Sequence, residues 1–134
     1  MPGESQMKRV VAVLLLLIVV NGFTFGQKRK KIDLCPNAET QFEMNQCAAR
    51  DYRAADAVLN RTYQRLVAML NDEEKSQLKT AQTAWLKYRD SNCEFVGDEF
   101  KGGSMRPLIY ASCLADMTRK RTVEIKNQIK ERKL

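Results

Sequence analysis

Histidine is absent from all 134 residues. That removes the commonest general base and every Ser-His or Cys-His nucleophile arrangement. The chain has no Cys-x-x-Cys spacing either, which leaves four cysteines and no imidazole as a poor zinc set. No Gly-rich phosphate loop is present, because Gly102 and Gly103 stand as an isolated pair suited to a turn. No segment alternates with a strand's period, and none repeats internally. The longest strongly apolar run, residues 10–20, falls short of the roughly 20 residues that a membrane-spanning helix needs. What remains is room for one small domain with a net charge of +7 and no expected cofactor or metal.

The N-terminus reads as a secretory leader over residues 1–26. Lys8 and Arg9 precede the apolar run, and Thr24 and Gly26 supply small residues before a cut near Gly26. Met7 is an equally good start. Lys28, Arg29, Lys30 and Lys31 follow at once and resist translocation, so an uncleaved anchor is the rival reading. Four cysteines in so small a chain favour export to an oxidising compartment, periplasmic or secreted. Residues 27–38 form a basic arm, 39–125 the helical domain and 126–134 a basic tail expected to project as a solvated helix.

Three helices are expected. Thr40 with Glu43 makes a capping box, and Met44, Ala48, Tyr52, Ala55, Leu59, Tyr63, Leu66 and Leu70 recur every three or four residues. Asn71 with Glu74 repeats the capping signal, and Asp72, Glu73 and Glu74 suit the positive end of a helix. The second helix continues to Phe95 or Phe100, where Gly97, Gly102 and Gly103 break it. Ser104 can cap a third helix with Pro107 in its first turn, carrying Ile109, Cys113, Leu114, Met117, Val123, Ile125 and Ile129. The fold class is all-α: a small three-helix antiparallel bundle.

Within the second helix, Leu78, Ala81, Gln82, Trp85, Tyr88, Arg89 and Asn92 share one stripe that is half polar. A stripe of that kind needs hydrogen-bond and charge partners on the facing element. If the chain turns back near Asn71, Tyr63 stands level with Gln82, Asn60 with Trp85 and Asp56 with Arg89. These residues, with Asp90, read as a polar seam that fixes the register of two helices in preference to a recognition or catalytic cluster. Thr118 and Arg121 either extend the seam or present Arg121 to Asp90.

Thr40, Glu43, Cys47, Asp56, Leu59, Asn60, Tyr63, Gln82, Trp85, Arg89, Asp90, Cys93, Gly103, Cys113, Thr118 and Arg121 together resemble the LprI-type lysozyme-inhibitor domain, a family of small exported bacterial proteins, over about residues 35–125. The paired motif from Asp56 to Cys93 carries most of the resemblance. It implies a non-enzymatic inhibitor that shields peptidoglycan by occluding the substrate cleft of a lysozyme.

Four cysteines allow three pairings. A return after Gly103 brings Cys93 level with Cys113, which leaves Cys35 to reach Cys47. Asp98 with Glu99, and the cluster at Asp72, read as solvated helix ends before they read as catalytic carboxylates. A partner surface is expected on residues 94–106, where Phe95, Phe100 and Met105 supply apolar anchors and Asp98 and Glu99 meet a basic enzyme. The partner is lysozyme or another envelope protein. The alternative is an envelope adaptor whose basic tail docks on anionic lipid or polymer. Nucleic acid is disfavoured by export and by the lack of any binding motif.

Overall fold

A computed structural model describes residues 37–134. The leader, the basic arm through residue 36 and Cys35 lie outside the described residues. Three helices follow: α1 (Gln41–Val67), α2 (Asp72–Asp98) and α3 (Arg106–Glu131). No strand occurs among the described residues.

Both capping boxes form. Thr40 Oγ1 accepts from the Glu43 amide at 3.2 Å, and Glu43 Oε2 accepts from the Thr40 and Glu39 amides at 2.9 and 3.0 Å. Asn71 and Glu74 repeat the exchange at 2.9 and 3.0 Å. Each box satisfies amides that a helix start otherwise leaves orphaned. The last turn of α1 tightens: the Met69 and Leu70 amides donate three residues back, so the helix ends at Val67 while Leu70 stays buried.

The third helix begins differently from the sequence expectation. Ser104 is not its cap. Met105 holds the N-cap position without a side-chain hydrogen bond, and Pro107 occupies the first turn. The Ser104 carbonyl instead accepts from Asn45 Nδ2 at 3.0 Å, tying the start of α1 to the start of α3. Gly102, with φ of 82°, supplies the left-handed residue in the connection.

That tie makes α1 and α3 parallel, with α2 running antiparallel to both. The helices are not equally close. α3 lies against α1 most extensively and against α2 next, whereas the α1 and α2 backbones hardly approach each other. Side-chain size explains the difference. Ala48, Ala55 and Thr62 recur on the buried stripe of α1, and Ala111, Ala115, Thr118 and Thr122 on that of α3, and small side chains permit close backbones. Leu59, Leu66, Leu70, Ile125 and Ile129 form the apolar cluster, with Tyr63, Leu78 and Trp85 packed against it.

One expectation about α3 is corrected. The basic C-terminal stretch does not project: α3 continues to Glu131, Ile129 is buried, and Arg132 Nη1 pairs with Glu74 Oε1 of α2 at 2.8 Å. The Ile125 and Ile129 spacing is what holds this stretch to the bundle. Val123, carried by the same helix, is 56% exposed.

Candidate functional site

Arg89 sits where all three helices meet and is only 5% exposed. Its Nη1 donates to Asp56 Oδ1 of α1 at 3.4 Å and to Thr118 Oγ1 of α3 at 3.2 Å. Its Nε and Nη2 lie 2.9 and 2.8 Å from Asp90 Oδ1 on the same helix. The Tyr52 and Trp85 rings cover the guanidinium plane, with centroids 5.4 and 5.3 Å from its carbon. A buried guanidinium needs this many partners to offset lost hydration. Asp56 is steadied in turn by Asn60 Nδ2 at 3.0 Å. Burial pushes the Tyr52 phenol up, against the pull of Arg89.

A second guanidinium lies one layer along. Arg121 Nε donates to Gln82 Oε1 at 3.0 Å, its Nη1 pairs with Glu124 Oε2 at 2.8 Å, and its carbon lies 5.7 Å from the Trp85 ring. Trp85 therefore contacts two cations. Arg121 does not turn to Asp90, because Arg89 already occupies that carboxylate from the adjacent position. The structure thus brings together Asp56, Asn60, Trp85, Arg89, Asp90 and Thr118 in one network, and Gln82, Trp85 and Arg121 in another. Tyr63 joins the apolar cluster instead. Among the described residues no buried side-chain polar atom lacks a hydrogen bond. The seam's buried donors and acceptors are paired with one another across the three helices.

The α2–α3 end is built around Arg106. Its Nη2 lies 2.5 Å from Glu94 Oε2 and 2.8 Å from Asp98 Oδ1, and its Nε lies 3.0 Å from the same Asp98 oxygen. That hydrogen bonding holds the Asp98 carboxyl below its usual range. The Tyr110 ring lies under the guanidinium at 5.8 Å. Beside it the Cys93–Cys113 disulfide joins the two helices with Cα atoms 5.6 Å apart. Met117 Sδ packs 3.7 Å from Cys93 Sγ and accepts from Asn92 Nδ2 at 3.3 Å. Cys47 is not free, and its expected partner lies outside the described residues.

On this end Phe95 is 74% exposed and Met105 42% exposed, Glu99 is exposed and Phe100 half-buried. Asp98 is not a free carboxylate, since Arg106 neutralises it. Sequence reasoning missed Arg106 and Tyr52 in these roles. Tyr52 lies four residues before Asp56 on the same helical face, a signal that its apolar ring concealed. Nothing in the spacing announced Arg106, whose reach across to α2 depends on how the connection folds. No cluster of side chains suited to a metal ion occurs among the described residues.

The family model described as "Lysozyme inhibitor LprI" matches residues 35–125. A relative from Rhizobium meliloti (strain 1021), named "Uncharacterized protein R02472", is 46% identical over 105 residues, covering 69% of this chain and 76% of the relative. No solved structure gives a significant match. The match takes in the whole seam, the Cys93–Cys113 bridge and the α2–α3 connection, and the chain belongs to the LprI lysozyme-inhibitor family.

Proposed function

We propose that this chain is an exported, non-catalytic protein that binds lysozyme and slows its attack on peptidoglycan. The observation that carries this reading is the family match across residues 35–125. The leader-like residues 1–26 and the cysteine count support export. No helix among the described residues is long and apolar enough to cross a membrane.

The α2–α3 end is the surface we assign to the enzyme. Phe95 and Met105 offer exposed apolar anchors, and anchors of that kind dominate binding energy when a partner buries them. Glu99, exposed just past the end of α2, adds a carboxylate that no cation among the described residues neutralises, whereas Asp90 and Asp98 are already paired with Arg89 and Arg106. That carboxylate matters because typical lysozymes are basic and a chain at +7 repels them at long range. Local negative charge offsets that repulsion at the contact.

The test is clearance of a peptidoglycan suspension by lysozyme, with and without the purified oxidised chain. A dose-dependent slowing, and no clearance by the chain alone, is the expected result. Unchanged lysis at a large molar excess of the chain rejects the reading.

A further inference from the structure

We propose that the face shared by α1 and α3, on the side of the bundle away from α2, docks on an anionic lipid surface. The positive charge of this chain is not evenly spread. Val58, Arg61 and Arg65 recur at three and four residues on the exposed side of α1. Val123, Lys126 and Lys130 do the same on α3. The Arg119–Asp51 ion pair ties the two helices along this margin, so the two stripes lie side by side. Because small residues bring α1 and α3 close and the helices run parallel, the stripes form one broad face.

Its cations are unspent. Arg119 and Lys120 are engaged by Asp51 and Asp116, but among the described residues Arg61, Arg65, Lys126 and Lys130 have no carboxylate partner. By contrast, Asp90, Glu94 and Asp98 in the C-terminal part of α2 are paired with Arg89 and Arg106. Unpaired cations on one face gain free energy near a surface of fixed negative charge, and arginine adds bidentate bonding to phosphate.

The apolar residues among those cations point to lipid in preference to a soluble polyanion. Val58 is 38% and Val123 56% exposed in the middle of the basic face. Branched aliphatic groups beside Arg and Lys suit the boundary between head groups and acyl chains, where an interfacial helix seats its apolar side. A flexible polyanion in water gives them nothing to enter. Docking by this face leaves α2 and the α2–α3 end turned outward, available to a soluble enzyme. This assignment does not depend on lysozyme binding.

Lysine acetylation of the full chain, read residue by residue by mass spectrometry, tests the proposal and separates this face from any contribution of the N-terminus. Vesicles of phosphatidylglycerol with phosphatidylcholine should protect Lys126 and Lys130 while leaving Lys79 and Lys87 on α2 reactive. Pure phosphatidylcholine vesicles should protect none of the four, and raised salt should release the protection. Replacing both Arg61 and Arg65 by Gln should raise the lipid concentration needed for half-protection about 25-fold, at roughly fivefold per charge. Four results overturn the proposal: equal protection of Lys79 and Lys87, equal protection by neutral vesicles, indifference to the two arginines, or stronger protection by soluble polyphosphate than by anionic vesicles. The last would reassign the face to a soluble polyanion. Because all the substituted side chains are solvent-exposed, an unchanged helical circular dichroism spectrum checks that the variants fold.

Discussion

Arg89 Nη1 reaches Asp56 Oδ1 at 3.4 Å across two helices whose backbones hardly approach each other. The ion pair therefore bridges a side-chain layer, with Tyr52 and Trp85 stacked on the guanidinium to fill it. Only the arginine is deeply buried: its side chain is 6% exposed, against 34% for Asp56 and 52% for Asp90.

The two partners should consequently differ in what their loss costs. Arg89→Ala removes the stacked plane, the bond to Thr118 and the link between α1 and α2, and should destabilise by about 2–4 kcal/mol. Asp56→Asn leaves Arg89 with Asp90 and Thr118, and should cost about 1 kcal/mol. Urea denaturation of both variants measures the difference, and equal losses would contradict the asymmetric burial.

Trp85 between two guanidiniums predicts a measurable coupling. A double-mutant cycle with Trp85→Leu and Arg121→Gln should yield about 0.5–1 kcal/mol of interaction energy. Additive losses would mean that the Arg121 stacking contributes nothing.

The capping glutamates set an acid response. Backbone amides at Thr40 and Asn71 hold the Glu43 and Glu74 carboxyls below their usual range of about 4.5. A carboxyl depressed in the folded state stabilises fully above its unfolded pKa, and that stabilisation is lost as pH falls through the folded one. Melting temperature should therefore drop as pH is lowered below about 4.5, and Glu74→Gln should flatten part of that dependence.

The disulfide between α2 and α3 closes a 20-residue separation. Chain-entropy reasoning assigns it about 3 kcal/mol. Cys93→Ala combined with Cys113→Ser should lower stability by about that amount in urea, while both capping boxes keep the helical spectrum largely intact.

Phe95 is so exposed that truncation should leave stability within about 0.5 kcal/mol. If the α2–α3 end meets the enzyme, Phe95→Ala should still weaken lysozyme inhibition by at least about tenfold, the scale of an interface anchor. Unchanged inhibition would place the contact elsewhere.

The Asp56–Arg89 contact was legible in the sequence because charge and periodicity are local properties. A polar residue that recurs on an otherwise buried stripe must meet a partner, and an antiparallel return near Asn71 put Asp56 level with Arg89. The caps were legible for the same reason, since a capping box needs only residues three apart. Ser104 was not, because a cap also requires a backbone turn that the Asn45 contact and Gly102 pre-empt.

What the sequence by itself determined is the three helices among the described residues, where α1 and α2 start and that Asp56 had to meet Arg89, since all of these follow from spacing along one chain. Tertiary structure alone decided that α3 lies closest to α1, that Arg121 turns to Gln82 and Arg106 to Asp98, and that the C-terminal stretch packs. Those outcomes depend on how near small side chains let two backbones come and on which carboxylate a long guanidinium can reach, and neither distance is written in a linear order of residues.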